Sequence, residues 1–428
     1  MSKLLQISYY FPPIQSSAVV RNGNIAHQFS KKVEKVFVIS TRNYKIFKQD
    51  PRAFDASMDI FYAPTFDYRT ITSLFRKNDK KEIHFTERTK SSIFARFFIK
   101  FINTFPINII IGEGGAVYIL CALIRSILLM RKHKIEYVFS SFRPFSDHFI
   151  AWALTLIFPK LKWIADYRDI QIEQQYKLYF FANYHHFLNK FFLKRATIVT
   201  TVSKGLVTDL EQYQRPIYLL NNGIEFDNQH VDQFSDKEKF IFSYTGSMFL
   251  GERDCHPFLQ NIKSMIDVGM LDQQKVEIHY AGKDGDMWLI EMTKLGIEKL
   301  FINHGMLSAQ EVRKLQRTSN FNILLTISTP ELKGVITGKF QEYLAARVPI
   351  ICHIKGDKDD EILSIFDQAK CGVVFYEASD QNFQHYVKNV YDKFIHYKSK
   401  ETIDLNNQFI KTNYDWKTIM YGLFEQLK

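Results

Sequence analysis

Short apolar runs rich in valine, isoleucine and phenylalanine alternate with helix-patterned stretches along this chain, and they do so in two successive series. Apolar strands separated by helices belong in a parallel sheet covered on both faces. The first series places strands at Lys3–Tyr10, Val36–Ser40, Ile60–Ala63, Tyr137–Ser140, Trp163–Asp166, Thr197–Val202 and Tyr218–Leu220. Helices are expected from about Ala116 to Lys132 and over Ser146–Ile157. After Asn221-Asn222-Gly223 the alternation restarts, with strands at Phe240–Tyr244, Val276–Tyr280, Phe321–Leu325, Ile350–His353 and Gly372–Phe375. The expected organisation is two α/β domains, residues 1–225 and 226–405, with residues 406–428 a C-terminal helix returning toward the first.

A chain of 428 residues with 46% hydrophobic content can fill two or three such cores. Lys3 is followed at once by the strand-like Leu4-Leu5-Gln6-Ile7, which is not a signal-peptide pattern. The most apolar region, Phe105–Met130, is broken by Gly112-Glu113-Gly114-Gly115 and by Arg125, so it offers no uninterrupted membrane span. Cys121, Cys255, Cys352 and Cys371 have no C-x-x-C spacing, so neither a disulfide framework nor a zinc site is indicated. A reduced, cytoplasmic protein is expected.

The net charge of +11 is unevenly spread: residues 1–215 hold 32 Lys+Arg against 16 Asp+Glu, the remainder 24 against 29. The basic first half should face something anionic: a membrane surface, a nucleic acid or a phosphorylated substrate. Arg76, Lys77, Lys80 and Lys81 are followed by Arg88, Lys90, Arg96 and Lys100, with Phe94, Phe97, Phe98, Phe101 and Phe105 around them. Such a segment suits either an interfacial helix at the inner membrane face or the buried face of a domain helix. Helix-turn-helix, zinc-finger and RNP patterns are missing, which argues against nucleic acid.

Ligands of open parallel sheets bind beyond the carboxyl ends of the strands. There the chain reads G-V-I-T-G-K-F-Q-E-Y-L-A-A-R-V-P-I-I over Gly334–Ile351, a loop turning into a helix near Gly338. A helix N-terminus with Lys339 beside it is an anion cradle, and Glu342, one turn on, can accept hydrogen bonds from hydroxyls. Four other strand-end turns carry charged side chains: Tyr10–Ser17 with Arg21, Ser140–His148 with Arg143 and His148, Asp166-Tyr167-Arg168-Asp169, and Thr245–Arg253. The acidic Asp357–Glu361 sits at a helix start, where acids are favoured.

Together, Y-Y-F-P-P, S-S-F-R-P-F-S-D-H, W-I-A-D-Y-R-D, T-T-V-S, N-N-G-I, Y-T-G, Y-A-G, H-G-M-L and G-K-F-Q-E-Y-L-A, in that order, resemble a GT-B glycosyltransferase of the family-four group, nearest to bacterial members that build surface polysaccharides. The resemblance implies two Rossmann-like doubly wound domains facing across a cleft. It implies a nucleotide-diphosphate sugar as substrate, transfer with retention, no metal, and a glycan or lipid-linked acceptor held by the first domain. It assigns the donor diphosphate to Lys339 and Arg253, the ribose hydroxyls to Glu342, and the base to the turn ending in Met306 and Leu307. Ser16, Ser17, Gly246, Thr337 and Gly338 complete the donor set, and His148 is either the histidine beside the donor sugar or one satisfied at a helix start. The acceptor set is Arg21, Arg143, Asp166, Arg168 and Asp169; the alternative for the two aspartates is a local ion-pair network with Arg168. Three positions depart from the family pattern: Gly334 stands where a first glutamate is usual, Ser16-Ser17 where a glycine pair is usual, and Phe258 where a lysine is usual. The alternatives are a nucleotide-sugar epimerase on the same fold and a non-catalytic partner protein.

Overall fold

Runs such as Leu4-Leu5-Gln6-Ile7 and Phe240-Ile241-Phe242 bury nearly every side chain, so they are central strands with both faces covered. The computed structural model describes residues 2–14, 17–42, 58–70, 93–168, 179–224, 238–248, 253–330, 333–334, 338–397 and 406–427. The chain divides into two compact units, Met1–Asn221 with Ile419–Lys428, and Asn222–Thr418.

The first unit holds β1 (Lys3–Ile7), β2 (Lys35–Thr41), β3 (Met58–Ala63), β4 (Ile135–Phe142), β5 (Lys162–Tyr167), β6 (Ile198–Thr201) and β7 (Ile217–Leu219). They form one parallel sheet in the order β3-β2-β1-β4-β5-β6-β7, with Leu5 opposite Phe37 on one side and Val138 on the other. The order reverses between β1 and β4, where an open α/β sheet offers its ligand crevice. Helices Ser17–Ser30, Gly115–Lys132, Phe145–Ile157 and Ala182–Leu193 lie between the strands in sequence, and Ile7, Tyr118, Val138, Leu154 and Trp163 share one core.

The second unit repeats the plan with β8 (Phe240–Thr245), β9 (Val276–Ala281), β10 (Phe301–Asn303), β11 (Phe321–Ser328), β12 (Ile350–Gly356) and β13 (Gly372–Phe375). The order is β10-β9-β8-β11-β12-β13, reversing between β8 and β11. Phe242, Ile323 and Ile351 face a core on one side, while Leu324, Cys352 and Ile354 pack with Phe340 and Tyr343 on the other. That alternation along β11 and β12 is how the sheet buries both faces.

Several strands run longer than the sequence expectation, β4 over Ile135–Phe142, β11 to Ser328 and β12 to Gly356, and two other differences have a visible cause. β1 ends at Ile7 rather than Tyr10, because the Tyr9 N–H donates to the Asp147 carboxylate (2.8 Å) instead of to a neighbouring strand. β10 was not anticipated: it has three residues, of which Ile302 and Asn303 are exposed, too short a run to stand out.

Candidate functional site

At the end of β8 the chain turns through Gly246, whose φ of +105° is costly for any residue with a side chain. A Cβ there would also come within 2.7 Å of Lys339 Cε. The glycine thus lets Lys339, second residue of the helix Gly338–Ala346, lie against the strand end. Lys339 Nζ donates to the Tyr244 hydroxyl (2.7 Å) and stands 3.9 Å from the centre of the Tyr244 ring. Tyr244 in turn donates to the Ser247 carbonyl (2.9 Å), which also accepts from Arg253 Nη1 (2.7 Å). A lysine and an arginine therefore converge on one tyrosine and one carbonyl.

Burial, and after it the neighbouring Arg253 guanidinium, push the Lys339 ammonium well below the usual lysine range, while Glu342 and Asp284 pull the other way. Among the described residues no carboxylate lies within ion-pair distance of Lys339. Asp284 stays close by accepting from the Met248 N–H (2.8 Å), and its own N–H donates to the Tyr280 hydroxyl (2.9 Å). Two cations converging on one hydroxyl and one carbonyl suit a polyanionic ligand such as a diphosphate.

Glu342 is exposed on the same helix and accepts from Gln316 Nε2 (3.1 Å), which is itself anchored on Thr245 Oγ1 (2.9 Å). Gln316 thus aims the carboxylate. The loop before this helix is pinned where the Gly334 N–H donates to Asp359 Oδ2 (2.7 Å), and Asp359 also caps the helix Asp360–Ala369. Asp359 and Asp360 therefore serve a helix start, as their position in the sequence suggests. Gly305 turns the chain after β10 with φ +62°, leaving Met306 73% exposed and Leu307 half-buried.

In the first unit the ends of β1, β4 and β5 gather a second set of polar groups. His148 is buried among Trp163, Tyr167 and Phe142, with Nδ1 2.8 Å from Ser140 Oγ. That hydroxyl also accepts from Trp163 Nε1 (2.8 Å), and among the described residues the buried His148 Nε2 has no hydrogen-bond partner. Burial lowers the His148 pKa to about 3, so the ring is neutral. Beside it, Asp147 accepts from the Tyr9 N–H and from the Tyr118 hydroxyl (2.9 Å), and burial raises its pKa to about 7. Asp67 and Arg69 form a buried pair (2.8 Å) that also bonds the hydroxyls of Tyr9 and Tyr10.

Arg21 and Asp166 are brought together, but with each other. Arg21 Nη2 donates to Asp166 Oδ1 (2.8 Å) and to the Leu220 carbonyl (2.9 Å). Asp166 also accepts from Ser141 (3.0 Å) and Thr200 (2.8 Å) and is fully buried. Asp166 is thus ion-paired with Arg21 rather than with Arg168, its neighbour in sequence. Arg168 is half-buried, its Nε donating to the Phe142 carbonyl (3.2 Å), and Arg143 is half-buried just past β4. Ser17 opens the helix Ser17–Ser30, and Gly338 is the exposed first residue of the Lys339 helix. Ser16, Thr337 and Asp169 lie outside the described residues. Sequence reading missed Tyr244, Asp284 and Asp147; the last two had a signal, each being the acid directly beside a polar or glycine-bearing strand-end turn.

No protein-family model matches the chain, and no curated protein matches it in sequence. Solved structures do. Sucrose-phosphate synthase from Thermosynechococcus elongatus aligns over 100% of this chain and 99% of its own, with a TM-score of 0.57 at 11% identity. The apo form of the lipopolysaccharide outer core galactosyltransferase WaaB covers 99% of both chains, with a TM-score of 0.54 at 12% identity. WaaG, a glycosyltransferase involved in lipopolysaccharide biosynthesis, aligns over 95% of this chain and 98% of its own, with a TM-score of 0.50 at 14% identity. The chain has the two-domain α/β fold of the GT-B glycosyltransferases.

Proposed function

We propose that this protein is a nucleotide-sugar-dependent hexosyltransferase that moves a sugar from a nucleotide-diphosphate donor to a glycan or lipid-linked acceptor in surface polysaccharide synthesis, with retention of configuration. The observation that carries the reading is the convergence of Lys339 and Arg253 on Tyr244 and the Ser247 carbonyl at a helix N-terminus. As the glycosidic bond breaks, charge builds on the departing diphosphate, and two fixed cations stabilise it most when it is greatest. The acceptor proton passes to that phosphate, so neither a carboxylate pair nor a metal is needed. Glu342, aimed by Gln316, is assigned to the ribose hydroxyls, and Met306 and Leu307 to the base. His148 is too weak a base to take a proton near neutral pH, so Nε2 is assigned a hydrogen bond to a sugar hydroxyl. Two of the similar structures are named for lipopolysaccharide synthesis, which supports the acceptor class.

Titration with UDP, GDP and CMP and their sugar conjugates, read as thermal shift without added metal, tests this. A nucleotide at about a hundred times its dissociation constant should stabilise the protein by roughly 2.7 kcal/mol, and Lys339→Ala should remove the shift. No shift with any nucleotide would favour a non-catalytic protein, and conversion of the donor without acceptor would favour an epimerase.

A further inference from the structure

Gly334, in the loop before the Lys339 helix, is buried and has φ +67°. A Cβ here would overlap Glu361 Oε2 and lie 2.7 Å from Glu361 Cδ, so the room for a side chain at position 334 is filled by the Glu361 carboxylate. The glycine that departs from the family pattern therefore admits a carboxylate from another element, the start of the helix Asp360–Ala369. The backbone around the pair is fixed. The Gly334 N–H donates to Asp359 Oδ2 (2.7 Å), and the Asp357 N–H donates to the Ser328 carbonyl (2.9 Å) across the paired ends of β11 and β12. Two neighbouring acids are engaged elsewhere: Asp359 is buried and also accepts from the Ile362 N–H (3.1 Å), and Asp360 is exposed and pairs with Lys358 (3.1 Å). Glu361 is half-buried against the loop.

We infer that Glu361 accepts hydrogen bonds from hydroxyls of the transferred sugar, and that this sugar is an uncharged hexose rather than a uronate. The inference rests on the donor reading above and adds the sugar to it. The loop of Gly334 follows β11, which borders β8 on one side and β12 on the other, so Glu361 stands on the β12 side of the crevice at whose β8 end Lys339 meets Gly246. A carboxylate repels phosphate, but it is the natural acceptor for neutral O–H donors and can take two of them at once. Lys339 and Arg253 answer to the diphosphate and Glu342 to the ribose, which leaves the sugar hydroxyls on this side of the crevice to Glu361. The turn Asp357–Glu361 holds four acids against one lysine, so a sugar that carried its own carboxylate would meet like charge there. Like charge set against the wrong ligand is an effective way to reject it.

Calorimetry on the full chain tests it, with UDP and its glucose and glucuronate conjugates, and with GDP and its mannose and mannuronate conjugates. The parent should bind the neutral conjugate at least about tenfold more tightly than the uronate. Glu361→Gln should leave the affinity for the bare nucleoside diphosphate unchanged, weaken the neutral conjugate by about tenfold, and narrow its advantage over the uronate. The double variant Glu361→Ala/Gly334→Glu, which offers a carboxylate to the same space from the loop, should bind the neutral conjugate more tightly than Glu361→Ala alone. An equal loss for nucleotide and conjugate in Glu361→Gln would make Glu361 a loop anchor only and overturn the proposal, as would unchanged binding of the conjugate. Tighter binding of the uronate by the parent would overturn it as well, and that comparison needs no variant. Binding of neither nucleotide by the parent would instead overturn the donor reading, and this inference with it.

Discussion

The Lys339 ammonium meets Tyr244 in two ways, donating to its hydroxyl at 2.7 Å while standing 3.9 Å from the centre of its ring. A neutral ring and hydroxyl steady a cation without neutralising it, which keeps its charge for a ligand. Replacing Lys339 by alanine should lower kcat by about a hundredfold to a thousandfold, the usual loss when a group acting on developing charge is removed. Steady-state kinetics with a donor identified by thermal shift would measure it.

The depressed Lys339 pKa also shapes stability. Between the folded value and the ordinary lysine value of about 10.4, the unfolded chain binds more protons than the folded one, so the ligand-free protein gains stability as pH rises through that window. Lys339→Met lacks this dependence. Melting curves should put the variant at or above the parent at pH 7, with the gap closing toward pH 10; a constant gap would contradict the assignment.

Gly246→Ala combines a φ of +105° with a Cβ 2.7 Å from Lys339 Cε. The backbone strain alone costs about 1–3 kcal/mol, readable as a lower denaturation midpoint. The displaced lysine should in addition weaken nucleotide binding, which calorimetry would record separately from the stability loss.

Asp147 titrates in the opposite sense to Lys339. Its folded pKa of about 7 lies above the unfolded value, so the folded state holds the extra proton and stability falls as pH rises from about 4 through 7. The shift corresponds to an upper limit on the order of 4 kcal/mol. Asp147→Asn can still accept from Tyr9 or Tyr118 and should flatten the fall, as denaturant titrations at a series of pH values would reveal.

Arg21 and Asp166 offer a test of structural against binding roles. Arg21→Met leaves a buried carboxylate without its counter-charge, which should cost about 3–5 kcal/mol; adding Asp166→Asn should restore part of this. In the double variant the KM for acceptor should stay near the parent value, since both groups are spent inside the sheet.

The two sheets could be read from sequence because their strands are apolar on both faces, and valine and isoleucine runs bounded by turns have few other uses. β10 and the early end of β1 could not. The one is too short for a pattern, and the other is cut off by Asp147, 138 residues away. The cationic pair of the second unit was legible because Lys339 and Arg253 each follow a glycine-bearing strand end. Tyr244, which joins them, reads in sequence as one more core aromatic, and only the fold brings it to Lys339, 95 residues on. Asp166 misled for the same reason: Arg168 is its neighbour in sequence, but Arg21, 145 residues earlier, is its partner.

The first unit includes Ile419–Lys428. Phe424 packs against Phe29 and Tyr137, the Ile419 carbonyl accepts from Tyr218, and the Leu427 carbonyl accepts from Lys162. During translation these residues emerge only after all of the second unit has been made. The half of the protein synthesised first is therefore completed only after the second, when Phe424 closes over Phe29 and Tyr137.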